Sequence, residues 1–180
     1  EVEALLDAEE QRVRGAVGRY VFGVDEETME AVVLNELTTQ GLTLAVAESL
    51  TGGLIGARLT DVPGASRAFR GSVVAYDADV KQGLLEIPDG PAVGEAPVRA
   101  MAEGACRILG ADVSLAVTGV AGPEPQDGQS PGTVWMATSV DGVVETLRVT
   151  FPADRVQVRQ FTVITVLNLL RIRLLARRDP

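Results

Sequence analysis

The sequence LTLAVAESLTGGLIGARLTDV, residues 42–62, decides the fold class, because an apolar run in it stops at a turn and a helical pattern follows. LTLAVAE (42–48) predicts a buried strand, and TGGLIGARLTDV (51–62) predicts the helix after it. A strand that leads into a helix in this way is a building unit of domains in which helices cover a sheet.

Outward from this stretch, short apolar runs rich in β-branched residues keep alternating with helical patterns. Further strands are predicted at 71–76, 112–118, 133–140 and 143–151. Further helices are predicted at 26–39, 77–85, 97–109 and 154–176. Asp141 and Gly142, between the last two strands, are a strong hairpin signal, so one of these strands runs against the others. We therefore predict an α/β fold: a three-layer α/β/α sandwich whose mixed, mostly parallel five-stranded sheet has one antiparallel strand in a C-terminal hairpin.

The first 25 residues differ from the rest in being charged and only moderately apolar. We expect residues 1–25 to be a linker or the tail of a preceding domain. Residues 26–180 are expected to form one domain, since a chain of 180 residues is long enough for one sizeable core but short for two. The chain begins with glutamate instead of methionine, so we expect it to be a piece of a longer protein.

The charge balance excludes some classes of partner. With 16 basic and 25 acidic residues, the net charge is −9, which is unsuited to neutralising the phosphates of a nucleic acid or an anionic bilayer. The most apolar run, residues 161–175, contains threonines, an asparagine and arginines, so it is a poor membrane span. We therefore expect a cytoplasmic protein without direct contact to nucleic acid or membrane, although a local pocket can still bind a small anion.

Two scarce residue types restrict the chemistry. The chain has no histidine and only one cysteine, Cys106. Without imidazole, the hydrolase arrangements in which histidine shuttles the proton are excluded, as are the usual zinc sites. Acid–base chemistry must then run on carboxylates, lysine or tyrosine, and we expect neither a metal nor a cofactor.

The turn AESLTGG, residues 47–53, is the first candidate site. Ser49 would lie at the end of a strand, with the backbone amides of Thr51, Gly52 and Gly53 directed outward at the start of the helix, where they would attract an oxyanion or a phosphate. The structural alternative is a helix cap by Ser49 or Thr51 with close helix packing. The spacing of a Walker loop is missing, so the turn does not indicate a nucleoside triphosphate.

The segment AYDADVK, residues 75–81, is the second. Tyr76 would end a strand and Lys81 would lie about one turn into the next helix, so that both side chains reach one cavity. A desolvated lysine can lose its proton and act as a base for a serine hydroxyl. The alternative is a tyrosine at the edge of the core with a solvated lysine. The spacing is one residue longer than in the short-chain dehydrogenases, and no glycine-rich dinucleotide turn precedes it.

The loop TGVAGPEPQDGQSPGT, residues 118–133, is the third. Thr118 would end a strand, with Gly119 after it, and the loop is too long and too rich in glycine and proline to be only a connection. A lid or a wall of the substrate site is the favoured interpretation. Arg155 and Arg159, one turn apart at the start of the last helix, would form a phosphate clamp, unless they are ordinary surface arginines.

Together these segments resemble the CinA C-terminal domain family, whose stand-alone members are nicotinamide mononucleotide deamidases (PncC). The resemblance covers residues 42 to about 175 and follows the chain order of the strings AESLTGG, LTDVPGASRAFRGSVVAYDADVK, MAEGACRILGADVSLAVTGVAGP, PGTVW and FPADRVQVR. The preceding YVFGVDEETME resembles the junction to the amino-terminal nucleotide-hydrolase half of full-length CinA. The chain is thus expected to be the carboxy-terminal fragment of such a protein.

The resemblance implies that nicotinamide mononucleotide is hydrolysed to nicotinate mononucleotide and ammonia, a step of pyridine nucleotide salvage. Ser49 matches the nucleophile of the family, while Tyr76 and Lys81 match its proton-handling partners, with Tyr76 as a relay. Amides of the glycine turn, with help from Thr118, would hold the oxyanion. A mixed five-stranded sheet and a homodimer are also implied.

Two departures from the family pattern concern the surroundings of the site. Leu50 stands where a cysteine commonly follows the nucleophile, and the loop GPEPQDGQSPGTVW lacks the lysine of its relatives. Other functions also remain open, because relatives are associated with natural competence and DNA damage. The domain would then bind a recombination or competence protein, or sense a nucleotide without turning it over.

Overall fold

The computed structural model describes residues 2–178. Residue 1 of the predicted tail and residues 179 and 180 of the predicted domain lie outside the described residues. The helices are α1 (Val2–Val17), α2 (Met29–Thr39), α3 (Leu54–Thr60), α4 (Ala78–Leu85), α5 (Glu95–Leu109) and α6 (Arg155–Arg178). The strands are β1 (Leu44–Glu48), β2 (Phe69–Val74), β3 (Val113–Gly119), β4 (Thr133–Val140) and β5 (Val143–Thr150).

The five strands form one sheet in the order β2-β1-β3-β4-β5. Strand β1 pairs in parallel with β2 and with β3, whereas β4 is antiparallel to both β3 and β5. Asp141 and Gly142 both have positive φ, 52° and 74°, as a two-residue hairpin turn of type I′ requires. The structure confirms the predicted fold, with β4 as the antiparallel strand of the C-terminal hairpin.

Helices cover both faces of the sheet. On one face the core consists of α2, α3 and α6 against large side chains such as Leu44 and Val46 of β1. On the other face α4 and α5 pack against small residues, among them Ala45 and Ala47 of the same strand. Because side chains alternate along a strand, the odd-numbered positions of β1 face α4 and α5 and the even-numbered positions face α3 and α6.

Helix α1 has no buried residue, so it adds nothing to either core. The proposed boundary at residue 25 stays a prediction. Within residues 2–178, no helix combines the length and apolar character needed to cross a bilayer.

Candidate active site

The predicted site residues gather at the edge of the sheet where β1, β2 and β3 end. Ser49 follows β1, Tyr76 follows β2, and Thr118 lies near the end of β3. The antiparallel strand β4 begins at this edge and β5 returns to it, so α6 starts there with Arg155. The carboxyl ends of parallel strands are where open α/β sheets bind ligands.

Ser49 continues the strand pairing by one residue, since its amide donates to the carbonyl of Val117 at 3.1 Å. Its side chain is almost buried, at 5% exposure. Within residues 2–178 its hydroxyl has no hydrogen-bond partner, so it caps no helix. Ser49 lies two positions after Ala47, which faces α4 and α5, so we expect its hydroxyl on that face as well.

The predicted helix at 51–62 begins three residues later than expected, at Leu54. Residues 49–53 form a turn in which Gly52 and Gly53 both have positive φ, 59° and 92°. Two successive left-handed positions strain any residue with a Cβ atom, which accounts for the glycine pair. The turn bends the chain sharply after Ser49 and keeps this residue at the rim of the sheet.

Glu48, which the sequence reasoning missed, occupies most of the amides at the start of α3. Its carboxylate accepts hydrogen bonds from the amides of Gly53 and Ile55, at 3.1 and 3.0 Å. The Gly52 amide is also engaged, since it donates to the Ser49 carbonyl at 3.0 Å. Both amides are therefore engaged within the protein, and their predicted role towards an oxyanion stays a prediction.

Two amides of the turn remain available. Among the described residues, neither the Leu50 amide nor the Thr51 amide donates to a protein acceptor. They immediately follow Ser49, where an oxyanion formed by attack of its hydroxyl would develop. Of the predicted turn donors, Thr51 is the one whose amide has no protein acceptor among the described residues, and the Leu50 amide shares this property.

Lys81 lies in the first turn of α4, with an exposure of only 3%. It shares the buried face of that helix with Leu85, which packs into the α4–α5 core. Lys81 is also the only lysine of the chain, a signal that would have strengthened its selection from the sequence. The solvated lysine considered as an alternative is wrong.

Burial lowers the pKa of the Lys81 ammonium, and the negative charges of Asp127 and Asp77 oppose this shift. No carboxylate of residues 2–178 forms an ion pair with it. The lysine therefore loses its proton more readily than an exposed one, as a base for a serine hydroxyl must. We expect the Ser49 side chain to lie on the same face of the sheet as Lys81.

Asp127 is a second residue that sequence reasoning missed. Its carboxylate accepts from the amides of Ala92 and Val93, at 2.8 and 3.1 Å, and it lies close enough to Lys81 to influence its pKa. These bonds tie the loop between β3 and β4 to the segment before α5. The loop accordingly forms a wall beside Lys81.

Tyr76 lies on the rim of the site, with 59% of its side chain exposed. Its hydroxyl is hydrogen-bonded to the guanidinium of Arg155, which also donates to the Gly122 carbonyl at 2.9 Å. Arg159 donates to the Thr51 carbonyl at 2.6 Å. Both arginines thus reach the site, one at the tyrosine and one at the turn after Ser49. The tyrosine relay between Ser49 and Lys81 stays a prediction.

Thr118 and Gly119 have structural roles that account for them without a substrate. The Thr118 residue is fully buried and its hydroxyl donates to the Ala92 carbonyl at 2.9 Å, so its predicted role as an oxyanion donor stays a prediction. A Cβ atom on Gly119 would lie 2.5 Å from the carbonyl oxygen of Thr133. The close approach of β4 therefore explains this glycine.

We expect Gly119→Ala to lower the free energy of unfolding by about 1–3 kcal/mol, the usual cost of forcing an extra methyl group into a packed position. Gly83→Ala is the matched control, because a Cβ atom there meets nothing within 4 Å on α4. This control should stabilise the protein by about 0.5–1 kcal/mol. Urea denaturation of both variants measures the difference, and equal midpoints would contradict the steric explanation.

Comparisons with known proteins identify the family of this chain. The model of the CinA C-terminal domain matches residues 26–174. A CinA-like protein of Frankia casuarinae is 44% identical over 177 residues, which are 95% of this chain and 41% of that protein. A protein of Halalkalibacterium halodurans named as a putative competence-damage inducible protein is 41% identical over 164 residues, or 88% of this chain and 39% of its own. The chain thus spans about two fifths of the length of these curated relatives.

Solved structures match over nearly their whole length. The CinA superfamily protein KP700603 from Klebsiella pneumoniae has a TM-score of 0.79 and 31% identity, covering 83% of this chain and 99% of its own. The competence/damage inducible protein CihA from Agrobacterium tumefaciens has a TM-score of 0.77 and 33% identity, covering 86% and 98%. The chain belongs to the CinA C-terminal domain family.

Proposed function

We propose that this domain hydrolyses nicotinamide mononucleotide to nicotinate mononucleotide and ammonia. The observation that carries the proposal is a nearly buried Ser49 whose hydroxyl has no hydrogen-bond partner among the described residues, at the edge of the sheet where α4, with the only lysine of the chain, begins. A free hydroxyl after β1 and a lysine of lowered pKa in the helix after β2 are the two groups that a serine nucleophile and its base require.

In the proposed reaction, neutral Lys81 takes the proton of Ser49 as the serine oxygen attacks the carboxamide carbon. The resulting oxyanion is held by the amides of Leu50 and Thr51. Collapse of the tetrahedral intermediate releases ammonia, which receives the proton from Lys81, and leaves an acyl-enzyme. Water then attacks the acyl group by the same route and frees Ser49. Each step uses residues of this chain and needs no histidine.

The rim supports an anionic substrate. Arg155 and Arg159 project from the first turns of α6 towards Tyr76 and the turn after Ser49. We propose that they bind the phosphate of the mononucleotide, since arginine recognises phosphate through paired charge-assisted hydrogen bonds. The exposed ring of Tyr76 then lies beside the substrate, where its hydroxyl is also available for proton transfer.

Incubation of the protein with nicotinamide mononucleotide tests the reaction. We expect stoichiometric ammonia and a product heavier by about one mass unit, since an amide nitrogen is replaced by oxygen. A nucleotide-sensing domain would instead show a higher melting temperature with the nucleotide and no ammonia. A domain that only binds a competence or recombination protein would show neither effect. Homodimer formation and such a partner remain predictions.

Arg155→Gln should raise the KM for nicotinamide mononucleotide about tenfold and leave kcat within about threefold. A charge-assisted hydrogen bond that is equal in the ground state and the transition state contributes uniform binding, and about 1.4 kcal/mol corresponds to a factor of ten. Steady-state ammonia release measures both constants. Arg70→Gln is the control, because this exposed arginine lies near the opposite end of β2.

Nicotinamide riboside, which lacks the phosphate, separates the phosphate contact from other effects of the substitution. If Arg155 acts on the phosphate, kcat/KM for the riboside should be almost the same in Arg155→Gln and in the unsubstituted protein. An equal loss for both substrates would contradict the phosphate contact and assign Arg155 to holding Tyr76 and the loop.

A further inference from the structure

Glu48 is a fully buried carboxylate immediately before the proposed nucleophile. One of its oxygens accepts from the amides of Gly53 and Ile55, at 3.1 and 3.0 Å. The other accepts from the amide of Gly56 and the hydroxyl of Ser72, at 2.9 and 2.8 Å. Four hydrogen bonds therefore join the end of β1 to the first turn of α3 and to the edge strand β2.

The stability of the fold does not by itself require a charge at this position. Within residues 2–178 the carboxylate of Glu48 has no cationic partner, and it is stabilised by helix amides and the positive end of the α3 dipole. Burial of a charge is expensive, and an apolar side chain of similar size often serves a core as well. What the carboxylate adds is a fixed geometry for the chain around it.

That geometry is the turn containing Ser49. The Ser49 amide is held by the Val117 carbonyl at the beginning of the turn, and the Gly53 amide is held by Glu48 at its end. Only the Leu50 and Thr51 amides are left without a protein acceptor among the described residues. Glu48 thus fixes the turn at both ends, since it is also the last residue of β1.

We infer that Glu48 is a positioning residue, whose carboxylate holds Ser49 and the amides of Leu50 and Thr51 in the arrangement that acyl transfer requires. The inference rests on the proposed function. It also restricts how the substrate binds. Helix starts commonly bind phosphate, but the amides at the start of α3 are already filled by a negative group, so the phosphate is directed to Arg155 and Arg159 on α6.

Glu48→Gln tests the inference with almost no change in shape. The glutamine must turn its NH2 group towards at least one of the backbone N–H donors, because these donors surround both carboxylate oxygens. We expect kcat to fall about 10- to 100-fold, as for loss of a hydrogen bond to a charged group, with KM changed by less than about threefold. Amide hydrogen exchange should become faster in residues 49–56.

Asp112→Asn is the matched control. This carboxylate also accepts from a backbone amide and a hydroxyl, both of Thr43, but it lies before β3 at the opposite edge of the sheet. The control should leave kcat and the exchange of residues 49–56 unchanged. If Glu48→Gln does not fold, Glu48→Asp retains the charge on a shorter side chain that cannot reach all its partners, and it should lower kcat in the same direction.

The outcomes are distinct. A kcat within about threefold of the unsubstituted protein, or unchanged exchange in residues 49–56, would overturn the positioning role. If Asp112→Asn lowers kcat as much as Glu48→Gln does, the carboxylate of Glu48 contributes only to general stability and does not position the turn. If the unsubstituted protein releases no ammonia, the deamidase proposal is refuted. Faster amide exchange confined to residues 49–56 in Glu48→Gln would even then support the conclusion that the Glu48 carboxylate fixes this turn.

Discussion

Ser49→Ala should reduce ammonia release from nicotinamide mononucleotide by roughly four orders of magnitude or more, because removal of a nucleophile eliminates the covalent route and leaves only binding and the oxyanion donors. The substitution removes only the hydroxyl group, which has no hydrogen-bond partner within residues 2–178. We therefore expect the melting temperature to change little. Affinity for the nucleotide, measured by calorimetry, should stay within about threefold.

Ser66→Ala is the control for this result, since Ser66 is exposed in a short 3₁₀ turn before β2, away from the site. It should retain full activity. Ammonia release by Ser49→Ala at a rate within about tenfold of the unsubstituted protein would remove Ser49 as nucleophile. A large fall in melting temperature would instead show that the hydroxyl stabilises the fold, contrary to its lack of partners.

The fold could be predicted because local patterns in this chain agree with one another. The alternating apolar runs give the strands, and Asp141 with Gly142 gives the hairpin that reverses β4. The start of α3 is less predictable, because the sequence pattern places the pair Gly52 and Gly53 inside the predicted helix at 51–62. Their positive φ belongs to a turn whose shape depends on contacts with Glu48.

The site was predictable at the level of which residues meet, and less so at the level of hydrogen bonds. Ser49 and Tyr76 follow strands that end at one edge of the sheet, and Arg155 is the first residue of the helix that begins there. The topology therefore brings these residues to one place. The partner of Thr118 is the carbonyl of Ala92, 26 positions earlier, and no local pattern announces such a bond. A buried donor such as this hydroxyl usually finds an acceptor within the fold, even where the sequence does not show which acceptor it is.

If Lys81 is the base of the proposed reaction, it supports activity but lowers the stability of the fold. Its pKa is lowered in the folded protein by burial, so the unfolded chain binds more protons than the folded one at pH values between the two pKa values. Stability accordingly rises with pH across this interval, and below it the full penalty for burying the lysine applies. At neutral pH the fold therefore carries a lysine that weakens it.

Lys81→Met should lower kcat about 100- to 10,000-fold, the range that a general base contributes, and should also raise the melting temperature at pH 7. Methionine fills a similar volume beside Leu85 without a charge to desolvate. The increase in melting temperature should become smaller as the pH is raised towards the pKa of an ordinary lysine. Ammonia release and thermal unfolding across a pH series measure both effects.

The pH dependence of the unsubstituted protein tests the same assignment independently. If neutral Lys81 is the base, kcat/KM falls as the pH decreases through the lowered pKa of Lys81 in the free protein, and the rate of amine acylation at Lys81 falls over the same interval. Because Lys81 is the only lysine, mass spectrometry reads its acylation directly, with the terminal amine as internal reference. If the fall in kcat/KM and the fall in acylation occur at different pH values, or if Lys81→Met is both active and less stable, the base is another group.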